Sequence, residues 1–309
     1  MMLPNELKKY DPVKYYFIAE PSYWPLIGCC GLFATVLGLV QTLHKGAIGP
    51  YLLALGLGLL IFTMVGWFGA VINESERGLH SVQMDRTYRW GMLWFIVSEV
   101  ALFTVFFIAL FYVRIFATTE LGGVPYEFAK AIMLSKHGAT HEFLWPNFVA
   151  HWPQLTNPNP KLFPGPKGVI YTWGIPALNT LLLLSSAVTV TWAHWGLKKN
   201  NRKQLIIGLL LTILLGCIFE GFQAHEYIEA YTELGLTLAS GIYGATFFML
   251  TGLHAMHVSI GVIMLAIILI RCLKGHFLPE HHFGFEAVSW YWHFVDVVWL
   301  FLFMFVYWM

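Results

Sequence analysis

Seven stretches of this chain are each long and apolar enough to cross a hydrocarbon core of about 30 Å as a helix of about 20 residues. They fall near residues 23–42, 51–72, 88–114, 170–194, 205–225, 239–270 and 286–308. Lipid offers no hydrogen-bond partners, so a segment inside it must satisfy its own backbone, and helices do so within one segment. The expected fold is therefore an all-α integral membrane protein of seven transmembrane helices. Composition agrees: 58% of the residues are hydrophobic, only 11% are charged, and mean hydropathy is +0.64. A soluble domain carries about 25% charged residues. The formal net charge of +1 provides no basic surface for nucleic acid.

Lysine and arginine set the expected orientation. Lys8, Lys9 and Lys14 precede the first helix; Arg77, Arg86 and Arg89 follow the second; Lys198, Lys199, Arg202 and Lys203 join the fourth to the fifth; Arg271 and Lys274 join the sixth to the seventh. These are twelve of the 18 basic residues, all on one side. The positive-inside rule then puts the N-terminus in the cytoplasm (or matrix) and the C-terminus outside. Residues 1–22 form a cytoplasmic segment that lacks a small-residue cleavage site, so the first apolar run is expected to be retained. Residues 23–72 hold helices 1 and 2, and residues 73–309 hold helices 3 to 7. The latter include an external loop at 117–168, rich in proline, whose Trp145, Phe148 and Trp152 favour packing on something. The sequence carries no internal repeat, so the inverted-repeat signature of many transporters is missing from it.

Cys29, Cys30, Cys217 and Cys272 lie in or at the end of apolar runs without metal-binding spacing, and they read as small core or lipid-facing residues. Tryptophan and tyrosine crowd the helix ends, as expected of interfacial belts.

The few polar residues inside the apolar runs are the candidates for function. Glu99 in helix 3 lies near mid-membrane, where a charged carboxylate costs at least ~2.5–3.5 kcal/mol. It should face protein or water, or stay protonated: a proton-exchanging carboxyl, or a neutral acid bonded to a neighbouring helix. His254 and His257, three apart in helix 6, share a face. Haem ligation would require facing histidines at matched depth, and neither His194 nor His225 is well placed. Interhelical hydrogen bonding is the plainer expectation. His293 and Asp296 in helix 7 are expected to form an internal pair, structural or a proton relay. Near the cytoplasmic boundary, Trp67, Glu74, Arg77 and His80 after helix 2, with Arg271, Lys274, His276, His281 and His282 between helices 6 and 7, suit phospholipid head groups or an ordinary basic loop. Glu220, Glu226, Glu229 and Glu233 are expected to end helix 5 and form its external loop, as a solvated acidic face rather than the alternative of a cation site, since their spacing matches no calcium loop.

The tail HHFGFEAVSWYWHFVDVVWLFLFMFVYW, residues 281–308, resembles the last helix of the cytochrome c oxidase subunit III family. YGATFFMLTGLHAMHVSIGV (243–262), TWAHWGL (191–197), PALNTLLLLSSAVT (176–189), SEVALF (98–103), YWPLIG and INES extend the likeness collinearly over nearly the whole chain. The resemblance implies helices 1 and 2 set apart from helices 3 to 7 by a V-shaped cleft filled with phospholipid. It implies a non-catalytic subunit of an oxidase that passes electrons from cytochrome c to oxygen while pumping protons. Haem a, haem a3 and copper are then expected in partner subunits, with none bound by this chain. It further implies packing mainly on subunit I, with subunit II also in the complex, support of proton uptake and protection against inactivation during turnover. Glu99 matches the family's buried reactive carboxylate, and Trp67, Glu74, His80 and Arg271 match positions associated with cleft lipids.

Three other readings compete. A stand-alone proton or ion transporter would use Glu99, His254 and Asp296; a membrane cytochrome would hold its own haem; and a quinol oxidase has an equivalent subunit, often with five helices rather than seven. The length of loop 117–168 favours a bacterial plasma membrane over the mitochondrial inner membrane.

Overall fold

The structure is a computed structural model and describes residues 21–123 and 139–308. The basic N-terminal segment and Lys130 and Lys136 of the long loop lie outside the described residues. Seven helices among the described residues are long and apolar enough to span a membrane. They are α1 (Trp24–Leu43), α2 (Gly49–Glu76), α3 (Val82–Tyr112), α4 (Ile175–Lys198), α5 (Arg202–Thr232), α6 (Ile242–Lys274) and α7 (Phe283–Leu302). A π-helical turn, Val113–Ala117, and a last turn, Thr118–Leu121, prolong α3; a second π segment, Phe303–Trp308, prolongs α7.

Local chemistry sets the helix ends. Pro25, Pro50 and Pro176 lie in the first turns of α1, α2 and α4, where a missing N–H costs nothing. The Asn201 side chain caps α5 by accepting from the Gln204 N–H at 3.2 Å. Gly275, at φ 78°, ends α6 in the left-handed conformation that glycine tolerates. Arg202 then donates to the last-turn carbonyls of Cys272 and Leu273 at 2.9 and 3.0 Å, placing a cation at the negative end of α6.

Several helices outrun their apolar cores. α3 begins six residues before the expected position 88, because its polar first turns are held by an Arg89–Asp85 pair at 2.8 Å, one turn apart. α5 runs on to Thr232, so Glu226 and Glu229 are helical, like Glu220, rather than part of a loop, and only Glu233 lies just past the end. α4 starts at Ile175, five residues later than expected, after an irregular segment that ends at Gly174.

The chain divides into two compact units, one running to Trp90 and the other from Gly91. In the first, α1 and α2 form a hairpin in close backbone contact. A Cβ on Gly38 would lie 2.3 Å from the Leu53 nitrogen, and one on Gly56 would lie 2.3 Å from the Thr35 nitrogen, so the helices can touch only because these positions are glycine.

In the second unit, α7 is the most enclosed span, with Trp292, Trp299, Phe285 and Leu302 fully buried. Its two central tryptophans hydrogen-bond to α4, Trp292 Nε1 to Ser186 Oγ and Trp299 Nε1 to Thr180 Oγ1, both at 2.9 Å. Thr189 and Thr212 join α4 to α5 at 2.8 Å, and Tyr227 and Thr251 join α5 to α6 at 2.6 Å. Polar side chains thus link helices whose apolar surfaces gain little by leaving lipid for one another. Part of the long loop also packs on this unit: Trp152 lies edge-on to Tyr243 at 5.6 Å, with the Arg114 guanidinium 5.7 Å from its ring, and Phe148 is buried.

Candidate functional site

Glu99 sits near the middle of the span formed by α3 and its extensions, at a depth where a lone carboxylate is costly. Its Oε2 lies 2.9 Å from His257 Nε2 on α6. The other ring nitrogen, Nδ1, lies 2.7 Å from the Leu253 carbonyl one turn back. A carbonyl only accepts, so Nδ1 carries a hydrogen. His257 Nε2 and Glu99 then share one further proton, as imidazole with carboxylic acid or as imidazolium with carboxylate. Either arrangement leaves the pair neutral overall, which is how an acid is tolerated at this depth. Phe103, Tyr291 and Phe294 surround the imidazole, and the Tyr291 hydroxyl donates to the His257 carbonyl at 3.4 Å. The carboxyl side chain keeps 19% of its surface exposed, enough for one edge to meet a neighbour.

His254 is 1% exposed and turns to a different helix, its Nε2 donating to the Val295 carbonyl on α7 at 3.1 Å. Phe219 and Trp299 pack on its ring. The two histidines therefore share a stretch of α6 but serve different neighbours, His254 joining α7 and His257 joining α3. Three of their four ring nitrogens are engaged within the chain, which supports the interhelical reading over haem ligation.

The expected His293–Asp296 pair is looser than a hydrogen bond, with Nδ1 and Oδ2 3.7 Å apart. His293 turns outward, its side chain 41% exposed, and its Nε2 meets Thr191 Oγ1 on α4 at 3.3 Å. Asp296 is 5% exposed, and neither carboxyl oxygen has a hydrogen-bond partner among the described residues. The two side chains diverge because the i+3 step rotates Asp296 into the core while His293 stays at the rim.

Of the residues expected near head groups, Trp67 is 45% exposed on α2, and His80 follows that helix with its Nε2 3.8 Å from Glu74 Oε2. At that distance the contact is electrostatic rather than a hydrogen bond. Burial holds the His80 pKa below its ordinary value, outweighing the raising effect of Glu74. Arg271 belongs to the second unit, in the last turn of α6, with its guanidinium 4.4 Å from the Phe277 ring centre.

The acidic stretch of α5 departs most from expectation. Glu226 is 1% exposed; it accepts from the Tyr307 hydroxyl at 2.5 Å and from Gln223 Nε2 at 3.1 Å. Glu220 accepts from Ser259 on α6 at 3.0 Å. Charge spacing along α5 suggests a solvated face, whereas the partners that bury these acids come from α6 and the far C-terminus. The sequence also gave no weight to Glu286, which meets His282 and His194 at the junction of α4 and α7.

Comparison with known proteins adds the family context. A sequence model described as Cytochrome c oxidase subunit III matches residues 14–129 and 155–309, leaving part of the long loop unmatched. Proteins named Cytochrome c oxidase subunit 3 from Marchantia polymorpha and Drosophila melanogaster are each 42% identical to this chain over 296 residues, covering 95% of it and 96% of the relative. One of the same name from Scyliorhinus canicula is 42% identical over 294 residues at the same coverage.

Proposed function

The chain belongs to the cytochrome c oxidase subunit III family, and from that premise we propose how it serves the complex: it packs on the haem- and copper-bearing subunit I and preserves it during turnover. The chain is a multi-pass membrane subunit of cytochrome c oxidase, non-catalytic and without a redox centre of its own. Haem a, haem a3 and copper then reside in partner subunits, with subunit II also present and cytochrome c delivering electrons to the assembly. The relatives' names support this reading and not a quinol oxidase or a stand-alone transporter.

The observation that carries the proposal is the Glu99–His257 contact at 2.9 Å. A transport path would need its carboxyl to alternate between water-filled openings. Here the acid is closed on an imidazole whose other nitrogen is fixed to its own helix, and the same α6 segment anchors α7 through His254. The geometry suits a rigid scaffold that keeps one edge of Glu99 available to a partner or lipid, and through it supports proton uptake by subunit I.

Phospholipid head groups fit the residues at the basic membrane boundary. Trp67 supplies an exposed amphipathic ring, Glu74 and His80 form a compact polar pair, and Arg271 supplies a cation for phosphate. The count of basic residues supports a cytoplasmic N-terminus and a periplasmic C-terminus. The unmatched segment 130–154 supports the bacterial plasma membrane, although the relatives named above are eukaryotic. Reporter fusions after Lys199 and after Glu233 would distinguish the two orientations.

The decisive experiment compares the purified oxidase with and without this chain. The depleted complex should keep its haem and copper spectra and its initial rate, then lose activity over successive turnovers faster than the intact one. Loss of the metal signals on depletion, or equal endurance of the two preparations, would overturn the proposal.

A further inference from the structure

Where α4 ends and α7 begins, three metal-competent side chains converge outside the Glu99–His257 site. His194 lies in the last turns of α4, His282 is the residue before α7, and Glu286 lies in the first turn of α7. Glu286 Oε1 is 3.2 Å from His282 Nε2 and 3.7 Å from His194 Nε2, and one ligand atom from each residue falls within 4.8 Å of the others. The imidazole rings meet edge to face, with centroids 5.4 Å apart. Both Nε2 atoms are buried and lack a hydrogen-bond partner among the described residues, as does Nδ1 of His282, and His282 is only 8% exposed.

We propose that His194, His282 and Glu286 bind one divalent cation of the zinc class, with water in the fourth position. Two imidazole nitrogens and a carboxylate oxygen form a set suited to zinc, whereas calcium and magnesium prefer oxygen ligands. Ligand bonds of about 2.0–2.1 Å to a tetrahedral ion separate neighbouring ligand atoms by about 3.3 Å. The two contacts to Glu286 bracket that spacing, and no ligand atom of the three lies more than 4.8 Å from another, so binding needs only a modest approach of the two histidines. It would also satisfy both Nε2 atoms, which have electrostatic contact with Glu286 but no hydrogen bond among the described residues.

The scaffold is suited to hold such a site. α7 is fixed to α4 by the Trp292–Ser186 and Trp299–Thr180 hydrogen bonds, so ligands on the two helices are held in register. The His282 carbonyl accepts from the backbone N–H groups of Phe285 and Glu286 at 2.9 and 3.2 Å, which fixes His282 against the first turn of α7. Phe285, fully buried, packs on the His194 ring at 5.3 Å. Lys198, one turn further along α4, is exposed, so water and salt screen its charge. A bound ion would clamp the end of α4 to the start of α7, with no redox step required of it. The rival arrangement at the same residues is a proton, giving a histidinium paired with Glu286.

The test uses the purified oxidase complex containing this chain, washed with chelator and equilibrated with radioactive Zn²⁺ at neutral pH. The intact complex should retain one more equivalent than complexes carrying His282→Gln or Glu286→Gln, with affinity at that site falling at least about tenfold in either variant. Haem absorbance and retention of this subunit serve as controls for assembly. X-ray absorption at the zinc edge, on wild-type complex reloaded with a single equivalent, should show two imidazoles and one carboxylate, and it does not depend on either variant assembling. Equal zinc in all three preparations, or a zinc edge without that ligand set, would overturn the proposal in favour of the protonated pair. Neither result bears on whether the chain protects its partner during turnover.

Discussion

The Tyr307 hydroxyl donates to the Glu226 carboxyl at 2.5 Å, joining the end of α5 to the π segment that closes α7, across 81 residues of sequence. Gln223 donates to the same oxygen, while the other carboxyl oxygen has no hydrogen-bond partner among the described residues. Removing the tyrosine donor from this enclosed acid should be costly. Tyr307→Phe should destabilise the second unit by about 1–3 kcal/mol, the range for leaving a buried polar group short of a partner. Glu226→Gln keeps an acceptor for Tyr307 and should cost less. Thermal unfolding of the detergent-solubilised complex, followed by release of this subunit, would rank the two; an equal or reversed order would refute the assignment.

Glu99 and His257 give a second ranking. Glu99→Gln can donate an amide hydrogen to His257 Nε2 while Nδ1 keeps its bond to Leu253, so the contact survives. Glu99→Ala leaves that nitrogen without its partner, at a cost of about 1–3 kcal/mol. The Gln variant should keep haem absorbance and initial turnover near wild type, and the Ala variant should release the subunit more readily on detergent exchange. Immediate loss of haem signal in the Gln variant would contradict a role outside the chemistry.

The seven spans were legible because each apolar run meets or exceeds what lipid demands, and that signal survives errors of several residues at the ends. Helix ends were less legible: α3 starts within a polar stretch that the Ser81 hydroxyl, accepting from the Met84 N–H at 3.3 Å, and the Asp85–Arg89 pair stabilise as helix. Glu99 and the α6 histidines stood out as rare polar residues in apolar runs, and the structure joins Glu99 to His257. Which histidine faced which helix depended on packing directions that spacing does not carry. Glu226 and Glu286 were misread or passed over for one reason: each sits near a helix end, where an acid ordinarily meets water. Their partners Tyr307 and His194 are 81 and 92 residues away and become visible only once the helices are packed.

The hairpin of the first unit makes a steric prediction. Gly38 and Gly56 each face backbone of the opposite helix so closely that a Cβ would overlap it, and backbone cannot rotate away as a side chain can. Gly38→Val or Gly56→Val should force α1 and α2 apart, at a cost of about 1–3 kcal/mol or more each. Gly58, whose Cβ would meet nothing within 4 Å, provides the control, and Gly58→Val should be far milder. Cross-linking yield between cysteines placed at positions 28 and 63, where a Cβ at 28 lies 3.3 Å from Thr63 Cγ2, should fall in the first two variants and hold in the control.

His80 supplies the pH dependence, because it lies between α2 and α3, outside the spans. Burial lowers its folded pKa below the ordinary 6.5, so between those two values the unfolded chain binds more protons than the folded one. Stability of the α2–α3 turn is therefore fully present above about 6.5 and declines as pH falls toward the lowered folded value. His80→Gln, which cannot take up the proton, should flatten that decline, and Glu74→Gln should lower the His80 pKa further by removing the one group that raises it. Titration of ¹³C-labelled histidine in lipid nanodiscs reads both effects directly. Anionic phospholipid should move the His80 midpoint upward relative to neutral lipid if a phosphate settles beside it, and an unchanged midpoint would remove His80 from the lipid-contacting set.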